Sequence, residues 1–249
     1  MGPSESTYRI GVLIPPANFS CEAEYPYATP RRFSFHFNRL QRPEAAISAE
    51  SLLAMKDSAL SCAEGLGLAG VDVLAYACTS GSFLAGTGSH REISDQLTAA
   101  QRVPAITTST AVLEALRHLG ARRPYVVTPY PEPVTKQTLA YLSAGGFEVP
   151  EWHSFDCRDS RGIAAVREAD VVEVLVAAAR RHGPHGSIDA LLVSCTNLRT
   201  LGALAELEDR CGLPVVSSNS ATIWAAVRAV DSAVPLPALG RLGLTGVQA

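Results

Sequence analysis

The stretch "VDVLAYACTSGS", Val71 to Ser82, is an apolar run that stops at a cysteine followed by hydroxyl residues and a glycine. A second stretch, "IDALLVSCTNLR" from Ile188 to Arg199, has the same design, with an aspartate six positions ahead of the cysteine in both. Short continuous apolar runs bounded by turn residues predict strands buried on both faces, the mark of parallel sheet. The sequel also repeats. "VPAITTSTAVLEAL" follows Cys78 and "LPVVSSNSATIWAAV" follows Cys195, each with a proline, a short strand, a hydroxyl-rich turn and an amphipathic helix. Cys195 follows Cys78 by 117 positions and Pro214 follows Pro104 by 110.

Working outward, further strands are predicted at "YRIGVLIP", "RFSFHFNRL", "RPYVVTP" and "GGFEVPEWHSF". Amphipathic helices are predicted at "SAESLLAMKDSALSCAEGLG", "TSTAVLEALRHLG", "EPVTKQTLAYLSAGG", "ADVVEVLVAAARRHG" and "LRTLGALAELEDRCG", several of them ending in glycine as helix C-termini prefer. Alternating strand and helix implies an α/β fold with largely parallel sheets. The repeat divides the chain into two pseudo-symmetric subdomains, residues 1–109 plus 220–249 carrying Cys78 and residues 110–219 carrying Cys195. In such sheets ligands collect at the carboxyl ends of strands, where both cysteines stand. If the halves face each other, the two thiols meet in one cleft between them.

The chain has 249 residues, is 47% hydrophobic and carries a net charge of −3. It is long enough for a large core. No apolar run reaches the roughly 18 residues of a membrane span, and the polar start lacks the features of a signal peptide, so a cytoplasmic location is expected. Without a basic stripe, nucleic acid and anionic membrane are poor partners and a small molecule is the better one. No Gly-x-Gly-x-x-Gly follows the first strand, no Walker loop occurs, and the six scattered cysteines show no ligand spacing, so neither cofactor nor metal is expected. Cys62 and Cys211 read as small buried hydrophobes. His36, His90, His118, His153, His182 and His185 pair with no cysteine and read as surface or core residues. Arg31, Arg32 and Arg39 read as a solvated strand edge.

A thiol at a helix N-terminus has a lowered pKa, and both cysteines are expected to be activated in this way. The amides after each cysteine, with Thr79, Ser80, Thr196 and Asn197, are suited to holding a carboxylate. Two opposed thiols suit proton exchange at an activated carbon, or attack by one on a double bond while the other supplies a proton.

The segments "IGVLIPPAN", "ACTSGSF", "PAITTSTAVLEALRHLG", "VVTPY", "LLVSCTNLRT" and "GLPVVSSNSATIWAAVR" together resemble the aspartate/glutamate racemase superfamily, and within it the maleate cis–trans isomerase and arylmalonate decarboxylase branch. The resemblance spans nearly the whole chain. It implies an active site between two α/β subdomains, no cofactor, and a homodimer. Carried over by residue, it implies Cys78 and Cys195 as catalytic thiols, Asn18 as a carboxylate ligand, Tyr130 as a hydroxyl donor, and carboxylate pockets around Thr79, Ser80, Thr196 and Asn197. The decarboxylase branch has glycine in place of Cys78, so the two thiols favour cofactor-independent isomerisation of maleate or a derivative by thiolate addition, bond rotation and elimination. Two-cysteine racemisation or epimerisation of an amino acid or related acid is the alternative, and a non-catalytic or decarboxylase-like member a further one. The chain departs from the isomerase pattern at "PPAN", usually "PSSN", and at Ser160, where an asparagine is expected, with Asp159 adjacent. Cys21 and Cys157 are expected near the cleft without an assigned role.

Overall fold

The structure, a computed structural model, describes residues 7–42, 49–83 and 88–244. Among the described residues, eight strands form two four-stranded sheets: β1 (Tyr8–Ile14), β2 (Phe33–Arg39), β3 (Val73–Tyr76) and β4 (Ala105–Thr107) in one, β5 (Pro124–Thr128), β6 (Trp152–Ser154), β7 (Ala190–Val193) and β8 (Val215–Ser217) in the other. Their orders are β2-β1-β3-β4 and β6-β5-β7-β8, so the two sheets share one topology, and every pairing is parallel. The α-helices among the described residues are α1 (Ser20–Glu24), α2 (Ala49–Asp57), α3 (Ala59–Leu68), α4 (Thr79–Phe83), α5 (Ser89–Gln101), α6 (Thr108–His118), α7 (Glu132–Ala144), α8 (Ser160–Ala165), α9 (Glu168–His182), α10 (Leu204–Cys211), α11 (Ser218–Val230) and α12 (Arg241–Leu244). No described helix is long and apolar enough to cross a membrane.

The apolar runs behave as their composition demands. Every residue of β3 and β7 is buried, because each is an inner strand covered on both faces. β2 lies at a sheet edge and is half-buried along most of its length. Its Phe35 and Phe37 pack on the ring of buried Tyr25. The twin aspartates serve the fold, since Asp72 accepts the amide of Arg9 at 2.7 Å, and Asp189 accepts those of Arg122 and Arg123 at 3.0 and 2.7 Å. Each carboxylate thereby ties the start of one inner strand to the start of its neighbour.

Several elements differ from their predicted forms. The helix expected over "SAESLLAMKDSALSCAEGLG" is two, parted at Ser58, whose hydroxyl donates to the Met55 carbonyl and accepts the Gln41 amide. Such side-chain bonds to local backbone compete with helix. The strand expected over "GGFEVPEWHSF" shrinks to Trp152–Ser154, since Gly145 caps α7 and Gly146 turns the chain at φ +91°. α11 is buried along Ser218–Val227 rather than amphipathic, because it packs on β1 and β3 of the first sheet and on α6. Its polar residues meet hydroxyls: Ser218 with Thr79 at 2.9 Å and Thr222 with Thr108 at 2.8 Å. Ser82 extends the same buried seam to Ser109 at 2.7 Å.

Candidate active site

β3 and β7 each end two residues before their cysteine, Cys78 and Cys195, and both thiols open into one cavity of about 40 Å³. By the same measure a single water needs roughly 10–15 Å³, so the space suits a small molecule and not a nucleotide. All eight residues singled out from the sequence line it: Asn18, Cys78, Thr79, Ser80, Tyr130, Cys195, Thr196 and Asn197. Pro15, Arg42, Leu52, Met55, Ser160 and Ile163 complete the described lining.

Most of the polar side chains hold the cleft in shape. The Asn18 amide group donates to the Thr196 hydroxyl at 3.0 Å while its carbonyl oxygen accepts the Cys21 amide at 3.1 Å. Thr196 in turn donates to the Ala77 carbonyl at 3.1 Å, and Thr79 is engaged with Ser218. The Asn197 side chain braces the "PPAN" loop, donating to the Ala17 carbonyl at 3.3 Å and accepting the Phe19 amide at 3.2 Å. It also reaches the Ser160 carbonyl at 3.4 Å. Beneath this layer, buried Glu24 accepts the amides of Thr200 and Leu201 at 2.7 and 2.9 Å and the side-chain amide of Asn219, which itself donates to the Thr196 carbonyl. Burial pushes the Glu24 carboxyl above its ordinary range against the pull of those donors.

The thiols are not activated as their positions predict. Burial pushes Cys78 up to about 11, although the Gly81 amide and the Ser80 hydroxyl pull the other way, as does the charge of Arg42. Cys195 is likewise pushed up to about 11 by burial, against the Tyr130 hydroxyl and the amides of Asn197 and Leu198. The desolvation of a buried thiolate outweighs a few amide dipoles. Local structure contributes to the difference: α4 after Cys78 has only five residues, and Cys195 leads into a turn, with a 3₁₀ segment starting at Leu201. The Asn197 amide still reaches Cys195 Sγ at 3.3 Å. Burial thus favours the protonated form of both thiols.

Tyr130 is buried, and its hydroxyl lies within hydrogen-bonding reach of Cys195 and Ser80, while each of the two thiols raises its pKa further above that set by burial. Gly81 has no room for a side chain, since a Cβ there would stand 2.9 Å from Cys78 Sγ. Cys21 does not line the cavity: it is fully buried, with Sγ directed to the Thr196 carbonyl and to Asn219 Oδ1. Cys157 is half-buried and also outside the lining. Arg39 is not a free edge cation but donates to the carbonyls of Pro16 and Asn18 and pairs with Glu22.

Sequence reasoning did not single out Arg42, whose guanidinium donates to Ser160 Oγ at 2.9 Å. Its one signal in the sequence was its place three residues beyond β2, again a strand's carboxyl end. Leu52, Met55 and Ile163 escaped because apolar helical residues read as core.

The profile of the arylmalonate decarboxylase family matches residues 10–243. A maleate isomerase of Pseudomonas putida is 33% identical over 94% of this chain and 96% of its own, and an arylmalonate decarboxylase of Bordetella bronchiseptica is 32% identical over 95% and 97%. Among solved structures, a cysteine-to-serine variant of Nocardia farcinica maleate cis–trans isomerase with a covalently bound succinylcysteine intermediate superposes with a TM-score of 0.85, at 29% identity over 95% of this chain and 98% of that one. A fold of two like sheets, a cleft between them and a match from β1 to the end of the described chain lead to one statement: this protein belongs to the arylmalonate decarboxylase family.

Proposed function

We propose that this protein is a maleate cis–trans isomerase working through its two cysteines. The observation that carries the reading is the pair of thiols at equivalent strand ends of two like sheets, lining one small cavity. The likeness to maleate isomerases over nearly the whole chain supports the choice of reaction.

In the working state the pair shares a single proton. Cys78 thiolate adds to one alkene carbon, and the displaced π electrons move onto the neighbouring carbon, where the adjacent carboxylate delocalises them. Cys195 gives its proton to that carbon, leaving a succinyl thioether on Cys78. The former double bond is now single and turns. Cys195 thiolate then takes a proton back, the electron pair re-forms the alkene in the trans arrangement, and the C–S bond breaks to restore the Cys78 thiolate. Tyr130 and the amides around Cys195 are suited to hold the carboxylate on which charge builds. The reading includes a cytoplasmic homodimer that needs no cofactor; light scattering and activity after exhaustive dialysis against a chelator test those parts.

Proton NMR of maleate incubated with the pure protein in deuterated water is the direct test, and the expected result is fumarate. Deuterium incorporation into an amino acid without action on any cis-alkene would favour racemisation, and loss of carbon dioxide from an arylmalonate would favour decarboxylation; either would overturn the proposal.

A further inference from the structure

Arg42 is the single fully charged side chain among the described residues that line the cavity. The remaining polar lining groups are hydroxyls, thiols and side-chain amides, and these bind a carboxylate and a carboxamide through the same oxygen acceptors. A guanidinium differs, because it favours the anion through charge-assisted, often bidentate hydrogen bonds. Arg42 is also aimed. It leaves the carboxyl end of β2 in the first sheet and crosses the cleft to Ser160 Oγ, at the start of α8 in the second half. Ser160 is itself fixed, since its carbonyl accepts from Asn197 and its helix is capped by Asp159, which accepts the Gly162 amide at 2.8 Å. The guanidinium sits close enough to Cys78 for its charge to act on the thiol. Arg42 and Cys78 thus line the same cavity.

We propose that Arg42 sets the specificity of the cleft: held across the interface by Ser160, it binds the second carboxylate of a dianionic substrate and selects that substrate over its monoamide. Ser160 is the positioning residue of the pair. The inference rests on the reading of the site as one for a small carboxylic acid, and it names the charge that the ligand must carry.

The test compares maleate with its monoamide in the wild type and in Arg42→Met, Arg42→Lys and Ser160→Ala. A hydrogen bond to a charged partner is worth a factor of roughly 10–100. Arg42→Met is expected to lower the ratio of kcat/KM for maleate to that for the monoamide by about that factor, chiefly through KM, any loss that acts through Cys78 being common to both substrates. Arg42→Lys is expected to restore part of the maleate preference, a readout that a merely structural role would not give. Ser160→Ala is expected to lower the preference by a smaller factor than Arg42→Met. Equal losses on both substrates, or an undiminished maleate preference in Arg42→Met, would overturn the proposal. Calorimetric binding of succinate and of succinamate separates this outcome from failure of the isomerase reading, because it needs no turnover. Wild type that turns over neither alkene yet binds succinate more tightly, with the difference lost in Arg42→Met, leaves the role of Arg42 intact. Absence of that preference in the wild type overturns it.

Discussion

Thr196 donates its hydroxyl to the carbonyl of Ala77 at 3.1 Å, joining the residue after one thiol to the residue before the other. The same oxygen accepts from Asn18, so one side chain closes a triangle of three loops. Replacement by valine keeps the shape but leaves the buried Ala77 carbonyl and Asn18 amide without this partner. Thr196→Val should lower stability by about 1–3 kcal/mol, read by urea denaturation, and slow turnover, whereas Thr196→Ser should be close to wild type.

The two cysteines should be separable by intact-protein mass spectrometry. Cys195→Ser is expected to accumulate an adduct of substrate mass, since the carbanion formed by thiolate addition can still be quenched slowly by a proton from the hydroxyl or solvent, while no thiolate remains to take that proton back. General acid–base help is typically worth about 10²–10⁴-fold, which sets the expected fall in turnover. Cys78→Ser should carry no adduct. The reverse pattern would exchange the roles.

The pH profile follows from burial of the thiols. With both near 11, the deprotonated fraction of the pair grows as pH rises from 7, so kcat/KM should climb by up to about tenfold per unit through the alkaline range. Stability should move the other way. An unfolded thiol ionises near about 8.5, so the advantage of the folded state is complete below that pH and is lost as pH rises towards the folded value. Short initial-rate assays paired with melting curves from pH 7 to 10 read both trends; a rate that levels off by pH 8 would contradict the raised thiols.

Gly81→Ala should damage the site more than its position in a short helix suggests. The new methyl would stand 2.9 Å from Cys78 Sγ and 3.0 Å from Tyr76 Oη, and both atoms are buried. Displacing a reacting atom by even 1 Å can cost about 100-fold, and that loss in kcat/KM is expected with the fold retained by circular dichroism.

Glu24→Gln tests the layer below the cleft. The carboxylate accepts three N–H groups, and Asn219 is already committed, its oxygen facing the Cys21 thiol and the Tyr25 hydroxyl. A glutamine must aim an NH₂ group at one of those donors. Loss of about 1–3 kcal/mol in chemical denaturation is expected, with a lower affinity for substrate because the Thr196 turn loosens.

The sheets were legible because β3 and β7 are inner strands, and continuous Val, Leu and Ala leave little other reading. Cys78, Cys195 and their neighbours Thr79, Ser80, Thr196 and Asn197 were legible as candidates because strand ends and cysteines mark themselves, whereas Asn18 and Tyr130 came from the family resemblance. α4 was not, since "TSGSF" is poor helix sequence that becomes helical only when all five residues are buried against neighbours. α5 was missed because its buried face is narrow, with Ser89, Ile93 and Leu97 alone turned inward. Arg42 gave no local sign beyond its place after a strand, as its importance arises when a loop from one half meets Ser160, 118 residues away in the chain. The thiol pKa values were misjudged for a related reason: amide dipoles are visible from local structure, whereas desolvation depends on everything that packs around the sulfur.

The buried seam shared by α4, α6 and α11 has a mechanical meaning. Its hydroxyl pairs, Thr79 with Ser218, Thr108 with Thr222 and Ser82 with Ser109, match only at one setting of the helices, so a slip of one along another would break them in a dry interior. The two halves therefore act as the jaws of a vice held at one opening by these pairs, of whose members Thr79 alone also lines the cavity. Within fixed jaws, the turning part of the machine is the substrate itself.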